Sequence, residues 1–135
     1  MSFPRLVQPL LDRHCVTCHD GGDGPRHSRL VLTGEIAGPF TKSYESLRPC
    51  VRWYEWGGET IHPTVTRPGH CGADESPLVG ILHDANHRPD VELPDGDLRR
   101  LYLWLDANAP FYGTYEDGER RSQLAGDAVA PPRLQ

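Results

Sequence analysis

Cys15-Val16-Thr17-Cys18-His19 is the stretch on which the reading of this chain turns. The pattern Cys-x-x-Cys-His is the attachment signature of c-type haem. Its spacing follows from the chemistry. Two thiols three positions apart on one helical turn both reach the vinyl groups of the ring as thioethers, and the histidine that follows swings beneath the ring to bind iron. Other uses of the same residues fit less well. A thioredoxin-like redox pair needs a βαβ setting, and the flanks show no strand pattern of that kind. A zinc site could take Cys15, Cys18 and His19 with Cys50 or Cys71. Structural zinc ligands come in two close pairs, however, and Cys50 and Cys71 lie 21 positions apart.

The rest of the composition suits a domain that folds around something. Of 135 residues, 14 are glycine and 13 proline, while hydrophobic residues make up only 37%. Much of the chain is therefore turn and loop, and its small apolar stock calls for a disulfide, a metal or a cofactor. A net charge of −5, with both signs spread along the chain, excludes an acidic disordered tail and a phosphate-seeking nucleic-acid binder. Apolar runs are far shorter than the roughly 20 residues a membrane span needs.

Thioether attachment of haem takes place outside the cytoplasm, so a periplasmic or otherwise extracytoplasmic location is expected, and there Cys50 and Cys71 can oxidise to a disulfide. Such a bridge would contribute about 3 kcal/mol on the loop-entropy account. The alternative role for Cys71 is as a thiolate ligand to iron. Residues 1–14 lack a basic start followed by an apolar core, which reads as a signal already removed or as a piece of a longer exported protein.

Along the chain, Pro9 to Cys18 reads as a first helix stopped by Gly21-Gly22, with loop over residues 20–40. Ser43 to Arg48 reads as one helical turn. Residues 50–75 read as a folded loop carrying the aromatics Trp53, Tyr54 and Trp56. Ser76-Pro77 opens a brief helix ending near Asp84. Asp95 opens the strongest helix, with Leu98, Leu101, Tyr102 and Leu105 along one face and Pro110 ending it. Residues 1–115 are expected to form one haem domain, and residues 116–135 a flexible tail or linker.

A helix ending in Cys-x-x-Cys-His, then a loop, small helices and a terminal amphipathic helix resemble the class I cytochrome c fold, which is mainly α with long loops around one haem. The likeness extends to residues 7–20, to Leu30-Val31-Leu32-Thr33-Gly34, to Phe40-Thr41-Lys42-Ser43-Tyr44 and to Trp104-Leu105-Asp106-Ala107-Asn108-Ala109-Pro110. These look like the c-type haem domains at the end of large exported proteins of planctomycetes and related bacteria. That group is similar to the C-terminal part of the hydrazine synthase alpha subunit, whose terminal haem is bis-histidine ligated. The other haem of that subunit uses a tyrosine four positions after the motif histidine. Here that position is Asp23, so the resemblance lends no support to a catalytic haem of that type. Cys50 and Cys71 depart from the family pattern.

His19 fills one axial position. The only methionine is Met1, 14 residues before Cys15, and histidine–methionine ligation is excluded on that count. The resemblance points to the region of His62, His70, His83 and His87 for the distal ligand. It singles out His87, which stands before a Val-x-Leu segment matched by Val91-Glu92-Leu93; His70, His83 and Cys71 remain alternatives. His14 is badly placed to cross the ring, and His27 follows directly on the motif. The expected function is electron transfer through one low-spin haem c, with a redox protein or a neighbouring domain as partner. The alternative is a weak or open sixth position that binds CO, NO or peroxide, or does catalysis, with Trp53, Tyr54 and Trp56 near His62 or His70 lining it.

Overall fold

Three prolines start three helices, at first-turn positions where a missing N–H costs nothing. The computed structural model describes residues 1–23, 30–52, 68–87 and 89–127. Pro4 sits in α1 (Phe3–Leu6), Pro9 in α2 (Gln8–His14) and Pro77 opens α4 (Pro77–His83). Between them, β1 (Ile36–Ala37) and β2 (Phe40–Thr41) pair antiparallel, with Ile36 opposite Thr41 and Ala37 opposite Phe40. Gly38 makes the turn at φ +69°, a conformation that favours glycine. Thr41 then caps α3 (Lys42–Leu47), its Oγ1 accepting the Tyr44 N–H at 3.3 Å. A single 3-10 turn, Arg48–Cys50, follows. The longest helix is α5 (Asp95–Asp106), and α6 (Asp117–Leu124) closes the described chain.

The core gathers both ends of the chain. Phe3, Tyr44, Trp104 and Phe111 are buried together, the Phe3 ring lying 5.2 Å from the rings of Tyr44 and Trp104. Polar atoms in this cluster have partners, as burial requires. The Tyr44 hydroxyl donates to the Ala109 carbonyl at 2.9 Å, and Trp104 Nε1–H donates to that of Pro110 at 3.1 Å. Asn108 and Ala109 both adopt positive φ, 62° and 47°. This double left-handed step ends α5 and turns Phe111 back onto Phe3, whose N–H donates to the Phe111 carbonyl at 2.9 Å. A second buried link joins α2 to α3 and the loop: Ser43 Oγ donates to Gln8 Oε1, and Gln8 Nε2 donates to the Leu32 carbonyl at 3.1 Å.

The structure adds α1 and the β1–β2 pair, which begins within the stretch read as loop, and differs from the sequence reading at both ends of the domain. The first helix ends at His14 instead of Cys18, because the Val16 N–H bonds the Leu11 carbonyl five residues back (3.0 Å) and loosens the helical ladder. The chain also does not become a tail after residue 115. Helix α6 packs against α1, buries Gln123 and sets Arg120 over the Tyr112 ring at 5.6 Å. Its docking is polar, with Gly113 N–H donating to Gln123 Oε1 at 3.3 Å and Arg120 Nε to the Thr114 carbonyl at 3.3 Å, so no apolar stripe announces it. The tail expected beyond residue 127, and the aromatics Trp53, Tyr54 and Trp56, lie outside the described residues.

Candidate cofactor site

Leucines of several elements face one another across a gap. Leu10 and Leu11 of α2, Leu30 and Leu32 of the loop, Leu47 of α3, Leu78, Ile81 and Leu82 of α4, Val91 and Leu93, and Leu101 of α5 line a single cavity. It holds about 980 Å3 of atom-free space, part of it open to solvent. The polar residues at its wall are few: His14, Cys15, Cys18, His19, Cys50, His87 and Asp90. All three chemical residues of the motif therefore meet at one apolar cavity with His87.

Local backbone bonding presents the motif. The Cys18 and His19 N–H groups both donate to the Cys15 carbonyl, at 3.1 and 3.0 Å, so the segment winds one further turn beyond α2. The Leu32 N–H returns to the His19 carbonyl at 2.7 Å and clamps the loop beside it. Burial, with the neighbouring Cys18, pushes the Cys15 thiol up to about 11, which keeps it as S–H. Burial and the nearby His87 lower the pKa of His19, against a hydrogen bond to the Leu30 carbonyl that raises it. The net effect favours the neutral imidazole that a metal requires. That bond also fixes which ring nitrogen carries the proton.

The His19 and His87 ring centres are 6.5 Å apart, with the planes inclined at 32°. Two imidazoles sharing one metal ion each place a nitrogen about 2 Å from it, and about 1 Å more to each ring centre gives roughly 6 Å in all. The observed spacing matches. His87 Nδ1 is buried and has no hydrogen-bond partner among the described residues. An apolar cradle, two thiols at its edge and two imidazoles facing across it fit a covalently attached haem.

The remaining candidates stand elsewhere. His70 is exposed and lies 3.8 Å from Glu75. His83 is also exposed, with its Nε2 2.7 Å from the Tyr102 hydroxyl. Neither lines the cavity. His62 and His27 fall outside the described residues. His14 touches the cavity, but its Nε2 donates to Asp97 Oδ2 at 3.1 Å. The four cysteines are unbonded, so the Cys50–Cys71 disulfide expected from the sequence is not formed here. Cys50 instead lies at the cavity wall, its thiol pKa raised by burial, while Cys71 stands off the wall. The segments that carry them do run side by side, since the Gly72 N–H donates to the Arg52 carbonyl at 3.0 Å and Ser76 Oγ to the Cys50 carbonyl at 2.8 Å.

Asp97 was not evident from sequence. Buried in the first turn of α5, it accepts from Arg13 and His14 of α2 and from Arg100, at 3.1, 3.1 and 2.7 Å. Burial works against its charge, but the Arg13 and His14 hydrogen bonds and the Arg13 and Arg100 charges outweigh it and hold the carboxyl below the ordinary carboxylate range. This knot fixes the helix that leads into Cys15. The Leu30 carbonyl, the partner of His19, likewise carried no sequence signal, because a backbone acceptor has no residue type.

Against protein-family models, curated proteins and solved structures, the chain has no match. Among the described residues, no group of three or more His, Cys, Asp or Glu side chains gathers as a zinc site would require. Nor is any described helix long and apolar enough to cross a membrane.

Proposed function

We propose that this chain is a monohaem c-type cytochrome domain, mainly α in fold and similar to class I cytochromes c, that relays electrons outside the cytoplasm. The observation that carries the reading is that Cys15, Cys18 and His19 share one apolar cavity with His87, whose ring stands at the spacing of a common metal ion. Cys15 and Cys18 would hold the ring as thioethers, and His19 and His87 would bind its iron. A haem held there supplies one-electron exchange between ferric and ferrous iron. The chain supplies the rest. Leucines from four elements give the cavity its apolar wall, the Leu30 carbonyl orients His19, and the Asp97 knot holds the attachment helix. Two histidine ligands favour a lower potential than a histidine and a methionine.

The redox partner is a protein or a neighbouring domain with a basic docking face, which the charge of −5 steers on encounter more than it tightens. The test is expression alongside haem-attachment machinery, followed by denaturing extraction and an absorption spectrum. Haem that stays with the polypeptide and a low-spin reduced spectrum are expected, and the Cys15→Ala/Cys18→Ala variant loses both. A wild-type chain that carries no covalent haem defeats the proposal.

A further inference from the structure

The two histidines are supported unequally. The imidazole of His19 is tied to the Leu30 carbonyl. That of His87 has its Nδ1 buried without a hydrogen-bond partner among the described residues. Only the backbone of His87 is held, its N–H donating to the Asp84 carbonyl at 3.1 Å and its carbonyl accepting from Asp90 N–H at 3.0 Å, in a turn between α4 and α5. A metal-binding imidazole that lacks its outer hydrogen bond is held about 10–100-fold more weakly than one that has it.

His87 also stands between two spaces. Besides the main cavity, it lines a second, wide-open one with Pro77, Gly80, Ile81, Asp84 and Asn86, and at Gly80 nothing lies within 4 Å of where a Cβ would be. The ring therefore has room to leave.

We propose that His87 is a displaceable ligand, and that the site takes a small neutral diatomic molecule such as CO or NO in its place. This rests on the haem reading above. With haem held as proposed, the exchange would balance without electron or proton transfer: the His87 imidazole would release ferrous iron and move toward Gly80, a lone pair of the incoming molecule would take its place, and His19 would remain bound. The domain is then an electron carrier at rest and a ligand-binding domain when His87 departs.

The experiment follows CO binding to the reduced, haem-attached protein by absorbance. Wild type is expected to start low-spin and to convert, at a rate that levels off as CO is raised because departure of His87 limits it. His87→Ala is expected to bind at least about tenfold faster, in proportion to CO. Gly80→Leu, which fills the space into which the ring moves, is expected to keep the low-spin spectrum and to slow binding about tenfold or more. A low-spin wild type that does not change under saturating CO for hours overturns the displacement and leaves the cytochrome reading standing. Persistent six-coordination in His87→Ala overturns it too, by showing another distal ligand. Absence of covalent haem defeats both readings at once.

Discussion

His70, His83 and His87 lie within 18 positions of one another, yet only His87 faces the cavity. His70→Ala and His83→Phe are accordingly expected to leave the low-spin spectrum unchanged, as absorbance and electron paramagnetic resonance would show. Loss of the low-spin signal in either would move the distal ligand away from His87. Cys15, Cys18 and His19 were legible in the sequence because their chemistry demands contiguity. His87 was legible only through resemblance, since nothing in Asn86-His87-Arg88 tells which way an imidazole turns. Asp97 was not legible at all. A carboxylate in the first turn of a helix ordinarily serves the helix dipole, and its partners, Arg13 and His14, are more than 80 positions away.

Among the elements, that carboxylate ties α2 to α5. Asp97→Asn keeps the shape but loses the charge, and is expected to cost about 1–2 kcal/mol in chemical denaturation. Because the folded state holds the Asp97 carboxyl below its unfolded value, its contribution is present above about pH 4, the unfolded carboxylate range, and is lost as pH falls through the lower folded value. The stability difference between wild type and Asp97→Asn should therefore shrink under acid; a constant difference from pH 7 to 3 would refute the assignment. Gly72 sits at φ +64°, where an added Cβ would collide with Asp106 Oδ1, the atom that accepts the Ala73 N–H at 2.8 Å. Gly72→Ala should cost more than the 1–2 kcal/mol, roughly, of the left-handed backbone alone, again read by denaturation. Helix α5 was visible as a row of leucines, while α6 was not, since it docks through Gln123 and Arg120.

At the scale of the molecule, the apolar cavity is the feature on which the haem reading bears. If the chain carries haem as proposed, the Cys15→Ala/Cys18→Ala protein is expected to lose near-UV circular dichroism and cooperative melting while keeping helical far-UV signal. A sharp, wild-type-like melt in that variant would show that the cavity needs no filling. The glycine- and proline-rich composition raised the expectation of a cofactor but did not give the place of the gap, because the walls come from segments spread between Leu10 and Leu101. Cys50 lies on that wall and Cys71 does not, a distinction that residue counts cannot draw.

The wide sequence separation across the Asp97 knot bears on the order of events in the life of the chain. Arg13 meets a partner 84 residues later, and the Phe3 N–H one 108 residues later, at Phe111. Contacts so distant form late and slowly. On the haem reading proposed above, Cys15, Cys18 and His19 of the exported chain would stay accessible to an attachment enzyme until α5 docks, so the time open for modification would be set by how quickly the far end of the chain comes home.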